Sequence, residues 1–321
     1  MRSYEPRIPK SKSRPLSGIL LLDKPQGLSS NQALQKAKRI FAASKAGHTG
    51  SLDPLATGLL PVCFGEATKI AGHLLGARKA YAAQIRLGVT TETDDAEGAV
   101  VNTHPVPQLS VEAIETALHT LRGRIVQTPP VYSALKQGGV PLYKRARRGE
   151  QVHVPSREVD VYRLVIERFE VDRLDVHVEC GSGTYVRSLA RDLGERLGCG
   201  AHLTALRRLW VEPFSAPQMF GLEWLAQQHA HGGEAAIDAL LLPIEAGLTG
   251  LPALELDAVQ SVQLRHGQRM QVVVPPSLGL HRALNPQGQL VALVEIDAGG
   301  FVSVTRGFNP DQTRVDAVAS K

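Results

Sequence analysis

Short apolar runs separated by turn-rich segments organise the first part of the chain. Residues 18–22 read GILLL, which predicts a buried strand, and DKPQG follows as a turn. Ser30 is predicted to cap the next helix, whose apolar face consists of Leu34, Ala37, Ile40 and Phe41. Residues 59–65, LLPVCFG, predict a second buried strand, and residues 66–77 predict a helix because their apolar positions recur at helical spacing.

Alternating polar and apolar positions mark the middle of the chain. Residues 157–171 and 173–180 predict an antiparallel pair of strands, since every other residue of the second is apolar. Ser110 and the turn GSGTY (181–185) each introduce an amphipathic helix, and we expect the first helix to end at Gly123. Because strands and helices do not follow a βαβ rhythm, the pattern favours an α+β fold with a largely antiparallel sheet.

Changes in this pattern divide the chain into three parts. Residues 1–16 hold five basic residues, one acid and three prolines, which predicts a flexible basic arm. Residues 17–250 carry the α+β pattern. Residues 251–316 contain the short strands GQLVALVEID and FVSVTRGF around the turn AGG, which predicts a small β domain.

Charge and cysteine content narrow the class of partner. The 321-residue chain has a formal net charge of +5 and a pI near 9.2, which favours a polyanionic partner without requiring one. Its three cysteines are too few and too widely spaced for a disulfide framework or a zinc site, so we expect reduced thiols and a cytoplasmic location. No apolar run reaches the roughly 18 residues of a membrane helix, and no membrane association is expected.

The glycine-rich stretch AGHTGSLDPLATGLLPVCFGEATK (46–69) contains Asp53 among its turn residues and a second carboxylate only at Glu66. An Asp-Pro pair in such a loop is often a simple turn. Glycosidic hydrolysis ordinarily needs two carboxylates, but Glu66 lies beyond a predicted buried strand. His48 and Asp53 are too few for a metal site, and the lysine-bearing glycine pattern of a phosphate loop is absent. Among reactions of such a loop, nucleophilic catalysis by a single carboxylate therefore remains.

Four stretches of the chain resemble, in the same order, the motifs of one enzyme family. They are LLDKPQGLSS (21–30), GHTGSLDPLATGLLPVCFGEATK (47–69), KAYAAQIRLGVTTETDD (79–95) and CGSGTYVRSLARDLG (180–194). All are similar to motifs of the pseudouridine synthases of the TruB family, bacterial enzymes that act on the uridine at position 55 in the T-loop of tRNA. The resemblance covers about residues 17–212, and LRRLWVEPF (206–214) departs from the more usual ending of its motif.

The resemblance implies both a fold and a reaction. The fold would be a pseudouridine-synthase catalytic domain over residues 17–250, with a largely antiparallel mixed sheet flanked by helices. A small β-barrel-like (PUA-like) RNA-binding domain would follow over residues 251–316. The enzyme would be a tRNA pseudouridine synthase, an isomerase that breaks the N1–C1′ bond of uridine, turns the uracil and joins C5 to C1′. Since only the C5 proton is lost, no cofactor and no metal are expected.

The matching positions imply a set of site residues. Asp53 would be the nucleophile, with uracil C6 and ribose C1′ both open to attack. Arg187 would pair with Asp53, and Lys24 would support the catalytic loop or contact phosphate. The residues implied to bind the extruded nucleotide are His48, Tyr81, Tyr185 and Leu206. The hydroxyl of Tyr81 would also help to move the C5 proton.

Each of these assignments has a structural alternative. Arg187 and Arg191 lie one helical turn apart opposite the apolar stripe, as solvated arginines would. Tyr81 shares a strand face with Ala83 and Ile85, as a core tyrosine would. Lys24 could be an ordinary exposed turn lysine.

The expected partner is tRNA, bound at its T-loop and stem by a monomer that needs no other protein. Residues 143–150, YKRARRGE, are the predicted phosphate-binding surface, with a plain solvated face as the alternative. Two other functions stay open. One is a guide-RNA-dependent pseudouridine synthase, and the other is an RNA-binding or RNA-folding protein with incidental activity.

Overall fold

A computed structural model describes residues 13–133, 135–146, 148–150, 152–272 and 277–309 of the chain. The α-helices found there are α1 (Ser30–Ile40), α2 (Ala71–Leu75), α3 (Val111–His119), α4 (Leu142–Ala146), α5 (Val186–Arg196), α6 (Leu222–Asp238) and α7 (Ala258–Arg265), and two 3-10 helices span Gly65–Ile70 and Ile244–Gly247. The strands are β1 (Gly18–Lys24), β2 (Ala46–His48), β3 (Thr57–Phe64), β4 (Lys79–Leu87), β5 (Val89–Thr91), β6 (Val100–Thr103), β7 (Gly123–Gln127), β8 (Lys136–Gln137), β9 (Val140–Pro141), β10 (Arg157–Glu170), β11 (Arg173–Cys180), β12 (Ala201–Val211), β13 (Phe220–Gly221), β14 (Ala253–Glu255), β15 (Met270–Gln271), β16 (Gly279–Leu284), β17 (Leu290–Ile296) and β18 (Phe301–Gly307).

The chain clusters into two compact units. The first unit consists of the described residues up to Asp53, of Leu59–Leu75 and of the described residues from Pro213 onwards. The second unit consists of Pro54–Gly58 and Gly76–Glu212.

The first unit contains two groups of strands. In the first group β1 lies between β13 and β3, and β2 pairs with β3 in antiparallel register. Helix α1 packs beside α6, and their apolar side chains form a core with those of β1 and β3. The second group is a five-stranded sheet in the order β14-β16-β17-β18-β15, which has its own apolar core. The predicted C-terminal β-strands therefore form a sheet with its own core, while the domain boundary at residue 251 stays a prediction.

Contacts within the first unit join the C-terminal sheet to earlier residues. Glu245 accepts a hydrogen bond from the backbone of Leu290 at 2.8 Å. Lys69 donates to the carbonyl of Gly307 at 2.9 Å and lies 5.5 Å from the ring centroid of Phe308. Glu66 pairs with Lys69 at 2.5 Å. The carboxylate of Glu66 thus has a structural role, which agrees with rejecting it as a second catalytic acid.

The second unit is built on strands in the order β12-β4-β11-β10-β7, all antiparallel. Thr57 and Gly58, at the start of β3, pair in parallel with Arg207 and Arg208 of β12. Helix α5 packs against β12 and α3 against β10. The predicted α+β class with a largely antiparallel mixed sheet is confirmed, as is the antiparallel pair β10–β11.

Two predicted helix boundaries are wrong. Ser29, not Ser30, caps α1, because Gln32 lies three residues later and completes a capping box with the Ser29 backbone at 2.8 Å. Helix α3 begins after Ser110 as predicted but ends at His119. Gly123 is instead the first residue of β7. Its φ of +80° is one that glycine adopts readily, so the glycine allows the chain to turn into the strand.

The segment predicted as an arm is partly anchored. Residues 1–12 lie outside the described residues. Arg14 forms a two-pronged ion pair with Asp238, at 2.6 and 2.7 Å, and its backbone bridges to Ala43. The fold of the first unit therefore includes the end of that segment.

All three cysteines are unpaired and buried. Burial raises the pKa of the Cys63 thiol to about 12 and that of Cys180 to about 11, so both are neutral and poorly nucleophilic at neutral pH. In the part of the chain that the structure describes, we find no helix with the length and apolar character of a membrane span.

Candidate active site

The loop that carries Asp53 connects β2 and β3, and its residues up to Asp53 belong to the first unit. The two strands pair in antiparallel register, with Ala46 opposite Phe64 and His48 opposite Val62. Leu52 is buried, whereas Asp53 is only half-buried. The loop is thus anchored by its leucine and keeps the neighbouring carboxylate accessible.

Ser30 holds the backbone immediately before Asp53. Its hydroxyl donates to the carbonyl of Leu52 at 3.0 Å and accepts from the amide of Leu52 at 2.7 Å. Because Ser30 is only 4 % exposed, these bonds form away from competing water. This explains why Ser29 and not Ser30 caps α1, since the Ser30 hydroxyl serves the loop.

Lys24 and His48 belong to the same unit as Asp53. Lys24 is completely buried at the end of β1, and its ammonium donates to the carbonyl of Pro25 at 2.9 Å. The alternative of an exposed turn lysine is therefore wrong, and burial favours a supporting role over direct contact with phosphate. His48 is half-buried at the end of β2.

Tyr81, Leu206 and Arg208 share one face of the β4–β12 pair in the second unit. Tyr81 lies opposite Arg208, and Leu206 lies opposite Ala83, two residues further along the same face of β4. Tyr81 is 8 % exposed and Leu206 is half-buried. The interpretation of Tyr81 as a core-facing strand tyrosine is confirmed, and its stacking on the target base stays a prediction.

Arg208 is a buried cation beside the Tyr81 hydroxyl. Its side chain is 1 % exposed and forms a hydrogen bond with Tyr81. Burial lowers the pKa of the Arg208 guanidinium, while the charge and the hydrogen bond of Tyr81 act in the opposite direction. A cation at this position stabilises negative charge on the tyrosine oxygen.

Gly58 allows β3 to approach the backbone of Arg208. Its φ is +93°, and a side chain there would place Cβ 2.2 Å from the Arg208 carbonyl oxygen. Only glycine fits this position. Gly58 therefore lets the start of β3 lie directly against the strand that carries Arg208.

Arg187 lies in the first turn of α5 and is 4 % exposed. It donates to the carbonyls of Thr93 at 2.9 Å and Tyr132 at 3.1 Å, and forms an ion pair with Asp95 at 3.5 Å. The alternative of a solvated helix arginine is wrong for Arg187. Its expected pairing with Asp53 stays a prediction.

The predicted site residues are therefore distributed over both units. The first unit contains Lys24, His48 and Asp53, and the second contains Tyr81, Tyr185, Arg187 and Leu206. Sequence reasoning missed the two buried partners, Asp95 and Arg208. Both lie in the motifs named above. Arg208 precedes the apolar residues Leu209 and Trp210, which was an available signal, whereas Asp95 follows another acid in the polar run TTETDD and has no such signal.

Replacing Asp95 by Asn is expected to destabilise the protein by about 3–5 kcal/mol, because it leaves the buried Arg187 beside a neutral partner. Thermal unfolding measures this loss. Asp172→Asn is the matched control: Asp172 pairs with Arg86 at 2.9 Å in an exposed site, so its loss should cost less than about 1 kcal/mol. Equal effects of the two variants would contradict the structural importance of the Asp95 pair.

Comparison with known proteins identifies the family of the chain. Residues 38–186 match the N-terminal domain of the TruB family pseudouridylate synthases. Residues 187–249 match the tRNA pseudouridylate synthase B C-terminal domain, and residues 251–305 match the C-terminal domain of tRNA pseudouridine synthase II.

Full-length relatives and solved structures agree with these matches. A tRNA pseudouridine synthase B from Xanthomonas axonopodis pv. citri (strain 306) is 56% identical over 301 residues, 94% of this chain and 97% of that protein. One from Stutzerimonas stutzeri (strain A1501) is 47% identical over 91% of this chain and 96% of its own. An H/ACA RNP structure bound to a substrate RNA containing 2'-deoxyuridine has a TM-score of 0.72 at 25% identity, covering 92% of this chain and 87% of that one. A Cbf5-Nop10-Gar1 complex has a TM-score of 0.72 at 26% identity, with 92% and 86% covered. With nearly its whole length aligned to such relatives, this chain belongs to the TruB family of pseudouridine synthases.

Proposed function

We propose that this protein isomerises the uridine at position 55 in the T-loop of tRNA to pseudouridine. The observation that carries the proposal is the 56% identity over 94% of the chain to a tRNA pseudouridine synthase B. The loop held by Ser30 adds support, because it presents the single half-buried carboxylate of Asp53. One carboxylate is enough for a reaction in which it acts as the nucleophile and no water has to be activated.

Each site residue has a proposed role in this reaction. Asp53 forms a covalent adduct while the N1–C1′ bond breaks, and it is released once C5 has joined C1′. Tyr81 stacks on the uracil, and its hydroxyl helps to remove the C5 proton. Arg187 keeps Asp53 ionised in the presence of the apolar base, because a nearby cation favours a carboxylate.

The remaining residues position the base and the loop. Tyr185 and Leu206 line the uracil pocket, and His48 contacts the extruded nucleotide. Lys24, which is completely buried, supports the loop from β1. Extruding the base costs a few kcal/mol, and stacking on aromatic rings returns about 1–3 kcal/mol per base.

The direct test is release of tritium from C5-labelled uridine in an unmodified tRNA transcript with the purified protein alone. We expect release of one tritium per tRNA, and none from a transcript with cytidine at position 55. Release from both transcripts would refute the assignment to that position. No release from either would refute the proposed function.

A guide-RNA-dependent synthase is the second candidate, because the structures of the H/ACA class share the fold at 25–26% identity. The much higher identity to tRNA pseudouridine synthase B favours the stand-alone enzyme. Tritium release without added RNA other than the substrate separates the two. A strict requirement for a guide RNA would support the second candidate.

The surface predicted to bind phosphate, YKRARRGE, is only partly described. Arg145 donates to Glu150 and to Gln137, both at 2.6 Å, and Arg148 lies 3.9 Å from Glu150. Arg148 is 68 % exposed at its side chain. We propose that both arginines exchange Glu150 for tRNA phosphates on binding.

Replacing Arg145 and Arg148 together by Ala is expected to reduce the log-log slope of tRNA affinity against salt by about one unit per lost phosphate contact. Glu150→Gln should have the opposite effect and strengthen binding, since it removes the competing carboxylate. Arg168→Ala, an exposed arginine paired with Glu170 on β10, is the control. An unchanged slope in the double variant would identify a plain solvated face.

The remaining proposals concern organisation. We propose a catalytic domain over residues 17–250 and an RNA-binding domain over residues 251–316, supported by separate family matches that meet at residues 249 and 251. We propose a cytoplasmic location because the substrate is a free tRNA. We also propose that the protein is a monomer. Light scattering of the purified protein tests the oligomeric state.

A further inference from the structure

The loop before α5 carries Tyr185 at a position that needs outside support. Tyr185 is the N-terminal cap residue of α5, and its own side chain forms no capping hydrogen bond. The first amide groups of a helix have no partner within the helix. Gly183 in the same loop has a φ of +87°, so the backbone turns sharply just before the tyrosine.

Gln127, at the end of β7, forms two hydrogen bonds with the backbone of Tyr185. Its side-chain oxygen accepts from the amide of Tyr185 at 2.8 Å, and its side-chain nitrogen donates to the carbonyl of Tyr185 at 3.1 Å. Gln127 is 1 % exposed. One buried side-chain amide therefore pairs with the Tyr185 amide and adds a second bond to the Tyr185 carbonyl, which also accepts from the amide of Leu189 at 3.2 Å, and so fixes the main chain of the tyrosine.

Arg157 holds the ring of the same tyrosine. It lies directly opposite Gln127 in the β10–β7 register, so both side chains project from the same face of the sheet. Its guanidinium lies 5.2 Å from the centroid of the Tyr185 ring and donates to the carbonyl of Gly183. A cation over the ring face holds an aromatic side chain in one orientation.

We infer that Gln127 and Arg157 form a clamp that fixes Tyr185 in one orientation and so positions the target uracil. The inference rests on the proposed function. Because Arg157 covers one face of the ring, a base can stack only on the other face. Gln127 and Arg157 are thus positioning residues that act through Tyr185. Neither of these two residues lies in a motif of the sequence.

Double-variant kinetics test whether Arg157 acts through the tyrosine. Arg157→Met is expected to lower the single-turnover rate of tritium release about 10–100-fold, since a small misplacement of the base costs that much. The dissociation constant for tRNA should change less than about threefold, because phosphate contacts dominate affinity. In a Tyr185→Leu background, Arg157→Met should have no further effect on the rate.

Two outcomes would overturn the inference. If the effects of Arg157→Met and Tyr185→Leu multiply, Arg157 does not act through the ring. If Arg157→Met mainly weakens tRNA binding and reduces its salt dependence, Arg157 is a phosphate contact. Arg157→Lys keeps the charge without the planar group, so an intermediate rate is expected, and it carries the same cycle if the Met variant fails to fold. Failure of the wild-type protein to release tritium would count against the proposed function instead.

Hydrogen exchange tests the clamp without activity. Gln127→Leu should accelerate exchange of the Tyr185 amide at least about tenfold, because the buried acceptor is lost. The control is Gln84→Leu, which removes a half-buried glutamine of β4 that donates to Asp175 at 3.1 Å. This control should leave the exchange rate of the Tyr185 amide unchanged. Equal exchange in the wild-type protein and in Gln127→Leu would overturn the clamp.

Discussion

Replacement of Asp53 by Asn is expected to abolish pseudouridine formation, with a loss of at least about 10⁴-fold in single-turnover rate. The amide is nearly isosteric with the carboxylate and supports the same turn before Pro54, so folding should be unaffected. It is not a nucleophile, and the covalent step cannot occur. Affinity for tRNA should stay within about threefold, because it arises mainly from phosphate contacts.

Tritium release and filter binding with the same tRNA separate these effects. Asp257→Asn is the matched control: Asp257 caps α7 through Gln260 at 2.8 Å, and Asn caps a helix equally well. The control should retain full activity. Activity of Asp53→Asn within tenfold of the wild-type rate would eliminate Asp53 as the nucleophile.

Replacement of Tyr81 by Phe is expected to lower turnover about 10²–10⁴-fold, the usual contribution of general acid–base catalysis. Phe keeps the stacking ring and loses only the hydroxyl that bonds Arg208. Arg208 stabilises negative charge on that oxygen and so favours the phenolate, which is the form that can accept the C5 proton. Binding of tRNA should stay close to that of the wild-type protein.

Tyr81→Leu is the comparison that isolates stacking. It should lose the same turnover and, in addition, about 1–3 kcal/mol of base affinity. Thermal unfolding of both variants accounts for the lost hydrogen bond to Arg208, which costs about 1–3 kcal/mol in a buried site. A Phe variant that turns over at the wild-type rate would leave Tyr81 as a stacking platform alone.

Local patterns in the sequence were sufficient for some of the elements, among them β1, α1, β3, β10 and β11. The alternation in residues 173–180 predicted β11 and its pairing, because a half-buried strand must place apolar residues on one face. The capping position of α1 failed because two adjacent serines, Ser29 and Ser30, have equal propensity. Gln32, three residues after Ser29, was the local signal for the capping box, and the Ser30 hydroxyl is in addition occupied by Leu52, 22 residues away. Local propensity carries no information about such a contact.

The sequence by itself determined the class of the fold, the family and the loop that presents Asp53, because periodicity, turn residues and contiguous motifs are local properties. Only the tertiary structure decided which charges are buried and with what partners. Arg187 resembles a surface arginine by its helical spacing, yet it is buried against Asp95, 92 positions earlier in the numbering. Arg208 likewise lies opposite Tyr81, and Gln127 accepts a hydrogen bond from the amide of Tyr185. Strand register brings distant residues into contact. In the low-dielectric interior, leaving a charge or an amide without a partner costs so much free energy that each buried polar group keeps the partner which the fold places beside it.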